Sequence, residues 1–121
     1  MDKLEEMYSQ QYEFNSLLRD ERNHPDFPLD LTQKKNQQLL KNLAHECMHE
    51  LFEANILLKN SKNHRVTEFK EFDREAYKEE LVDALHYLFG IVIYSGISVN
   101  ELHEAYMKKG LTNVQRVKSG Y

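Results

Sequence analysis

Apolar side chains recur every three or four positions through most of the chain, and the interruptions are few. Between Asp2 and Glu21, Leu4, Met7, Tyr8, Gln11, Phe14 and Leu18 fall near one stripe, the 3.6-residue period of an amphipathic helix. The stretch "NHPDFPLD" (Asn23 to Asp30) interrupts it, because Pro25 and Pro28 each remove a backbone donor and disfavour helix at the residue before. A second helix is predicted from near Asp30 or Thr32 to about Lys59, with Leu40, Leu43, Ala44, Cys47, Met48 and Leu51 as its apolar stripe and Glu46, Glu50 and Glu53 on a different face. "NSKNHRVTEFKEF" (Asn60 to Phe72) is polar, leans basic and has no clear period, as expected of a mobile flap.

The third predicted helix, about Asp73 to Ser95, contains "EELVDALHYLFGIVIY". Its apolar residues cover nearly the whole circumference, which predicts burial on several sides, yet Glu80, Asp83 and His86 lie along one line of it. Gly96 is placed to end this helix, and Ser98-x-x-Glu101 forms a capping box that starts a fourth, expected to stop at Gly110. The polar tail "LTNVQRVKSGY" is then available to reach over a site. With only four glycines and two prolines, the pattern reads as all-α, a bundle of about four main helices completed by dimerisation.

Composition narrows the partners. A chain of 121 residues suits one domain with a modest core, leaving surface for solvent or a second copy. Sixteen basic against twenty acidic residues give a net charge of −4, with no positive excess to attract a nucleic-acid polymer. Cys47 is the only cysteine, which excludes an internal disulfide and fits a reducing, cytoplasmic compartment. No apolar run has the length of a membrane span, and "MDKLEEM" does not resemble a signal peptide, so no membrane partner is expected.

The candidate chemistry lies in carboxylates. Glu80 and Asp83 occupy adjacent turns of a helix otherwise built for a core, and Glu50 and Glu53, also three apart, make the same demand on the second helix. Buried carboxylates require protonation, basic partners or cations. If the two helices pack antiparallel, four carboxylates converge, and hard oxygen donors favour Mg²⁺ or Mn²⁺. A rival pattern overlaps them: His45-Glu46-Cys47-Met48-His49 matches HExxH, the zinc peptidase helix, with Glu80 available as third ligand. That reading leaves Glu50, Glu53, Asp83 and the tail without a role. A non-catalytic helical dimer or interaction module, its acids paired with basic side chains of a partner, is the other alternative.

Glu50-x-x-Glu53, then 26 intervening residues, then Glu80-x-x-Asp83, resembles the ExxE…ExxD signature of the all-α nucleoside triphosphate pyrophosphohydrolases, which include MazG proteins and the dimeric dUTPases, some of which also hydrolyse dCTP. "AYMKKGLTNVQRVKSGY" is similar to the dUTPase branch's Y-x-x-K-N-x-x-N-x-x-R-Q-x-x-G-Y at Tyr106, Lys109, Asn113, Arg116, Gly120 and Tyr121. "DALHYL" resembles that branch's D-x-x-H-F, and Gln11-x-x-x-Asn15 its first motif. The resemblance implies one pyrophosphohydrolase domain over residues 1–121, with a small nucleotide, dUTP or dCTP or both, hydrolysed to the monophosphate and pyrophosphate.

By the same resemblance, Glu50, Glu53, Glu80 and Asp83 hold the metal, and Glu50 or Glu46 serves as base. Lys109, Asn113, Arg116 and Tyr121 face phosphate or sugar. Gln11, Asn15 and His86 face the base and deoxyribose. The chain departs from the pattern in having no tryptophan after the first pair, Gly110 in place of Asn, and Val117 in place of Gln. A second register, aligning "ELFEA" with E-x-x-E-L-x-E-A, puts Cys47 at the first ligand position and leaves Glu46 or Glu53 to substitute.

Overall fold

A computed structural model describes residues 1–67 and 71–120. Four helices follow one another, α1 (Lys3–Arg22), α2 (Lys34–Ile56), α3 (Arg74–Tyr94) and α4 (Val99–Lys118), with no strand among the described residues. The all-α class read from the periodicity therefore holds. No single helix among the described residues is long and apolar enough to cross a membrane. The chain divides into two compact units, Met1–Leu29 with Val92–Tyr121, and Asp30–Ile91.

In the first unit, α1 starts at Asp2, whose carboxylate accepts from the Glu5 amide at 2.9 Å, and ends at Asn23, which adopts the left-handed conformation. The loop behind it is pinned by Arg19, which meets both Asp20 and Asp26 at 2.9 Å, and by the Leu29 amide, which donates to the Tyr94 carbonyl at 2.8 Å. Phe27 makes edge contacts with Tyr12 and Tyr94, with ring centroids 4.9 and 5.8 Å apart. Gly96 closes α3 at φ +75°, where a Cβ would stand 2.9 Å from that of Pro28, so the turn requires glycine twice over. The Tyr8 hydroxyl donates to the Ile97 carbonyl at 2.8 Å, and Ser98 with Glu101 forms the expected capping box.

Two expectations for this unit are corrected. Met7 and Phe14 are exposed, and the inward line of α1 runs through Tyr8, Gln11, Asn15 and Leu18, with Gln11 and Asn15 its buried members. The fourth helix does not stop at Gly110. It continues to Lys118, because Gly110 has no crowding around it and costs only about 1 kcal/mol in a helix interior, while Met107, Leu111 and Val114 carry the helical spacing past it. Gly120, at φ +79°, is the glycine that follows the helix end.

In the second unit, the Asp30 carboxylate accepts from both the amide and the hydroxyl of Thr32, forming a turn that delays the start of α2 to Lys34. The predicted flap falls between α2 and α3; its residues 60–67 and 71–72 form no regular element beyond a turn near Asn63, and residues 68–70 lie outside the described residues. The packed line of α2 runs through Leu43, Cys47, Glu50 and Ala54, and that of α3 through Tyr77, Glu80, Ala84 and Tyr87. The expected division of faces holds for Leu40, Leu43, Ala44 and Cys47 and is corrected beyond them: Glu50 belongs to the packed line, while Met48 and Leu51 are exposed, as are Phe52 and Ile56. On α3, Leu81, Val82, Leu85 and Leu88 are likewise exposed, not buried on several sides.

Candidate functional site

The packed lines of α2 and α3 meet through small residues. Cys47 Sγ donates to the Ala84 carbonyl at 3.2 Å, and one turn further along α2, and one turn back along α3, Glu50 comes into hydrogen-bonding range of Glu80. Sequence numbers rise on one helix as they fall on the other, so the pair is antiparallel here. A side chain as small as cysteine opposite an alanine lets the backbones approach. That approach brings two glutamates face to face on lines that would ordinarily be apolar.

One carboxylate oxygen each from Glu50, Glu80 and Asp83 lies within 4.8 Å of the others. Glu53 acts on Glu80 through space, while its own carboxylate pairs with His49 Nε2 at 2.9 Å. Sharing with Glu50, then burial, then the charges of Glu53, Glu50 and Asp83 push the Glu80 carboxyl above its ordinary value. Glu80 Oε2 is buried and has no hydrogen-bond partner among the described residues. The basic residues at the start of α3 are engaged elsewhere: Arg74 and Lys78 approach Glu75 at 4.0 and 2.6 Å.

Such a donor set fits a small hard cation. Two oxygens on one Mg²⁺ ion stand about 3 Å apart when adjacent and about 4.2 Å when opposite, given bonds of about 2.1 Å, so a small inward movement of the three carboxylates reaches that geometry. An all-oxygen set offers nothing specific to zinc, which prefers nitrogen and sulfur. His49 is turned to Glu53, and the thiol of Cys47 is engaged with a carbonyl and pushed up by burial. Among the described residues, the cluster that could hold a metal ion consists of carboxylates alone.

The remaining predicted site residues are placed as follows. Gln11 and Asn15 form a buried pair, Gln11 Nε2 donating to Asn15 Oδ1 at 2.9 Å, and Asn15 Nδ2 is a buried donor with no partner among the described residues. Leaving such a donor unpaired costs about 1–3 kcal/mol, which an acceptor on a ligand would recover. His86 is exposed on α3, on the turn after Asp83. Lys109, Asn113 and Arg116 are exposed at helical spacing along α4, and Tyr121 lies outside the described residues. Glu46 is exposed, one position before the Cys47 contact. Periodicity counted Tyr87 with the apolar residues of α3; it is half-buried, and burial first, then the charges of Glu46, Glu50 and Asp83, push its phenol above the ordinary value. The signal was its spacing of four from Asp83 and seven from Glu80.

Residues 27–121 match the family described as dUTPase. No curated protein and no solved structure matches the chain.

Proposed function

From the premise that this chain belongs to the dUTPase family, we propose that it is a Mg²⁺-dependent pyrophosphohydrolase that converts dUTP, dCTP or both to the nucleoside monophosphate and pyrophosphate. The observation that carries the metal requirement is the convergence of Glu50, Glu80 and Asp83, with Glu80 Oε2 buried and unpartnered. Glu50, Glu80, Asp83 and, after release from His49, Glu53 would hold the ion. Bound there, Mg²⁺ (or Mn²⁺) offsets phosphate charge and lowers the pKa of its coordinated water.

The chain's own groups supply the rest. Glu50, or Glu46 one turn before it on α2, would take a proton from the attacking water. Addition of that water across the anhydride between the α- and β-phosphates gives one monophosphate and one pyrophosphate. Lys109, Asn113 and Arg116 share one face of α4, a spacing suited to successive phosphate oxygens and the sugar; Tyr121 is assigned to the same group. Asn15, held by Gln11, offers its donor to a carbonyl oxygen of the base, and His86 is assigned to the deoxyribose side.

The functional form in this reading is a cytoplasmic homodimer. Phe52 and Ile56 are 59% and 71% exposed, Leu88 is 50% exposed, and no large side chain among the described residues is fully buried, so a second copy has apolar surface to cover.

The test is pyrophosphate release from a panel of deoxy- and ribonucleoside triphosphates, with Mg²⁺ and with EDTA, alongside Glu80→Gln. Turnover of dUTP or dCTP that needs Mg²⁺ and falls by at least about 100-fold in Glu80→Gln is expected, since the substitution removes a metal-holding charge. Absence of pyrophosphate from every triphosphate would refute the enzyme and leave a helical interaction module.

A further inference from the structure

The HExxH pattern leaves two histidines without a part in the proposed chemistry. His45 is exposed on α2. His49 has a definite partner: its Nε2 donates to Glu53 Oε1 at 2.9 Å, between side chains that are both partly open to solvent. Nε2 carries a proton in the imidazolium and in one neutral tautomer, so the contact stands whether or not the ring is charged. Its partner is the acid that the converging group lacks, since Glu50, Glu80 and Asp83 bring one oxygen each within 4.8 Å and Glu53 is not among them.

Helix geometry gives Glu53 two places to turn. It stands three residues after Glu50, on the packed line of α2, and four after His49, on the exposed face; both intervals bring helix side chains together, so its carboxylate reaches either. Charge decides between them. With no cation present, an inward turn meets like charges, and Glu80 already feels Glu53 from where it stands. With a divalent cation among the acids, the same turn brings Glu53 to a positive centre. An exposed pair four residues apart biases an equilibrium by only about twofold, little enough for a divalent ion to overcome.

We infer that His49 is a latch on the fourth ligand: it holds the Glu53 carboxylate off the Glu50–Glu80–Asp83 group while that group is empty, and gives it up when a divalent cation enters. The inference rests on the proposed function, since it needs a cation between α2 and α3 with Glu53 among its ligands. Metal then binds against the latch, and the chain's affinity for it is lower than four unlatched carboxylates would give.

The test is a double-mutant cycle of His49→Ala, Glu53→Gln and the pair, read by Mn²⁺ binding in titration calorimetry and electron paramagnetic resonance. His49 is exposed and alanine favours helix, so the metal-free melting temperature, which serves as the folding control, is expected not to fall. His49→Ala is expected to bind Mn²⁺ about twofold tighter than the wild type, the strength of the pair it removes. Glu53→Gln is expected to bind at least about 10-fold weaker, and the double variant no tighter than Glu53→Gln, because a latch with nothing to hold has no effect. Unaltered or weaker binding by His49→Ala would overturn the latch, the weaker result making His49 a support of bound Glu53 instead. Equal tightening in the Glu53→Gln background, or a Glu53→Gln chain that binds as the wild type does, would overturn it too. A wild-type chain that binds no Mn²⁺ would overturn the latch together with the function on which it rests.

Discussion

In the unit formed by Met1–Leu29 and Val92–Tyr121, Arg19 meets two carboxylates, Phe27 sits against two tyrosines, and the polar ends of the turns are answered by Tyr8, Leu29 and Ser98. In the unit Asp30–Ile91, the residues on the packed lines include two glutamates, and the large aliphatic side chains face outward. The first unit compensates its polar groups internally, apart from the Asn15 donor. The second concentrates like charges that repel one another and gains nothing from them unless something outside the chain arrives. The difference is one of energetics: altering the Arg19 and Phe27 contacts of the first unit costs cohesion, whereas altering the clustered carboxylates of the second relieves repulsion and, in the proposed function, removes metal binding.

Deleting cohesion in the first unit is the largest effect this comparison predicts. Phe27→Ala removes both edge contacts and the ring beneath Arg19, whose guanidinium carbon lies 5.5 Å from its centroid, and is expected to cost about 3 kcal/mol in urea unfolding. The loss should be the same in EDTA and in Mg²⁺. A loss that metal largely restores would break the division between the units.

Metal binding to the second unit comes next. At ten times its Kd, Mg²⁺ or Mn²⁺ should stabilise the chain by about 1.4 kcal/mol, a rise of roughly 5 °C in melting temperature. Glu80→Gln should abolish that rise while leaving the metal-free chain at least as stable as the wild type, because the substitution relieves repulsion from Glu50, Glu53 and Asp83. A Glu80→Gln chain that melts well below the wild type in EDTA would show that Glu80 serves cohesion after all.

The smallest effect is a pH dependence of the metal-free chain. The Glu80 carboxyl is pushed above its ordinary 4.5 by sharing with Glu50, by burial and by the neighbouring acids. A group whose folded pKa is raised contributes stability that is fully present below the unfolded value and lost as pH rises through the folded one. In EDTA, therefore, the wild type should lose stability relative to Glu80→Gln as pH rises from about 4.5 into the raised range. Saturating Mg²⁺ should remove or reverse that trend, measured by melting both proteins across the pH series.

Much of this was determined by the sequence alone. The helical period, the two prolines, Gly96 and the Ser98–Glu101 box are local signals, and local sterics and capping are enough to place four helices from them. The spacing of Glu50, Glu80 and Asp83 was legible for the same reason, since three- and four-residue intervals put side chains on one face whatever surrounds them. Which face turns inward was only partly legible. Hydrophobicity assigns Leu43 and Cys47 to the interior correctly and Leu51 and Leu81 wrongly, because the close approach allowed by Cys47 and Ala84 turns Glu50 and Glu80 inward instead. Gly110 was misread because a glycine ends a helix only where the backbone turns left-handed, as at Gly96 and Gly120, and nothing local distinguishes those positions from the helical one. Tyr87 was hidden because a phenol counts as apolar until its neighbours are known, and only tertiary structure brought the charges of Glu46 and Glu50, on another helix, to bear on it.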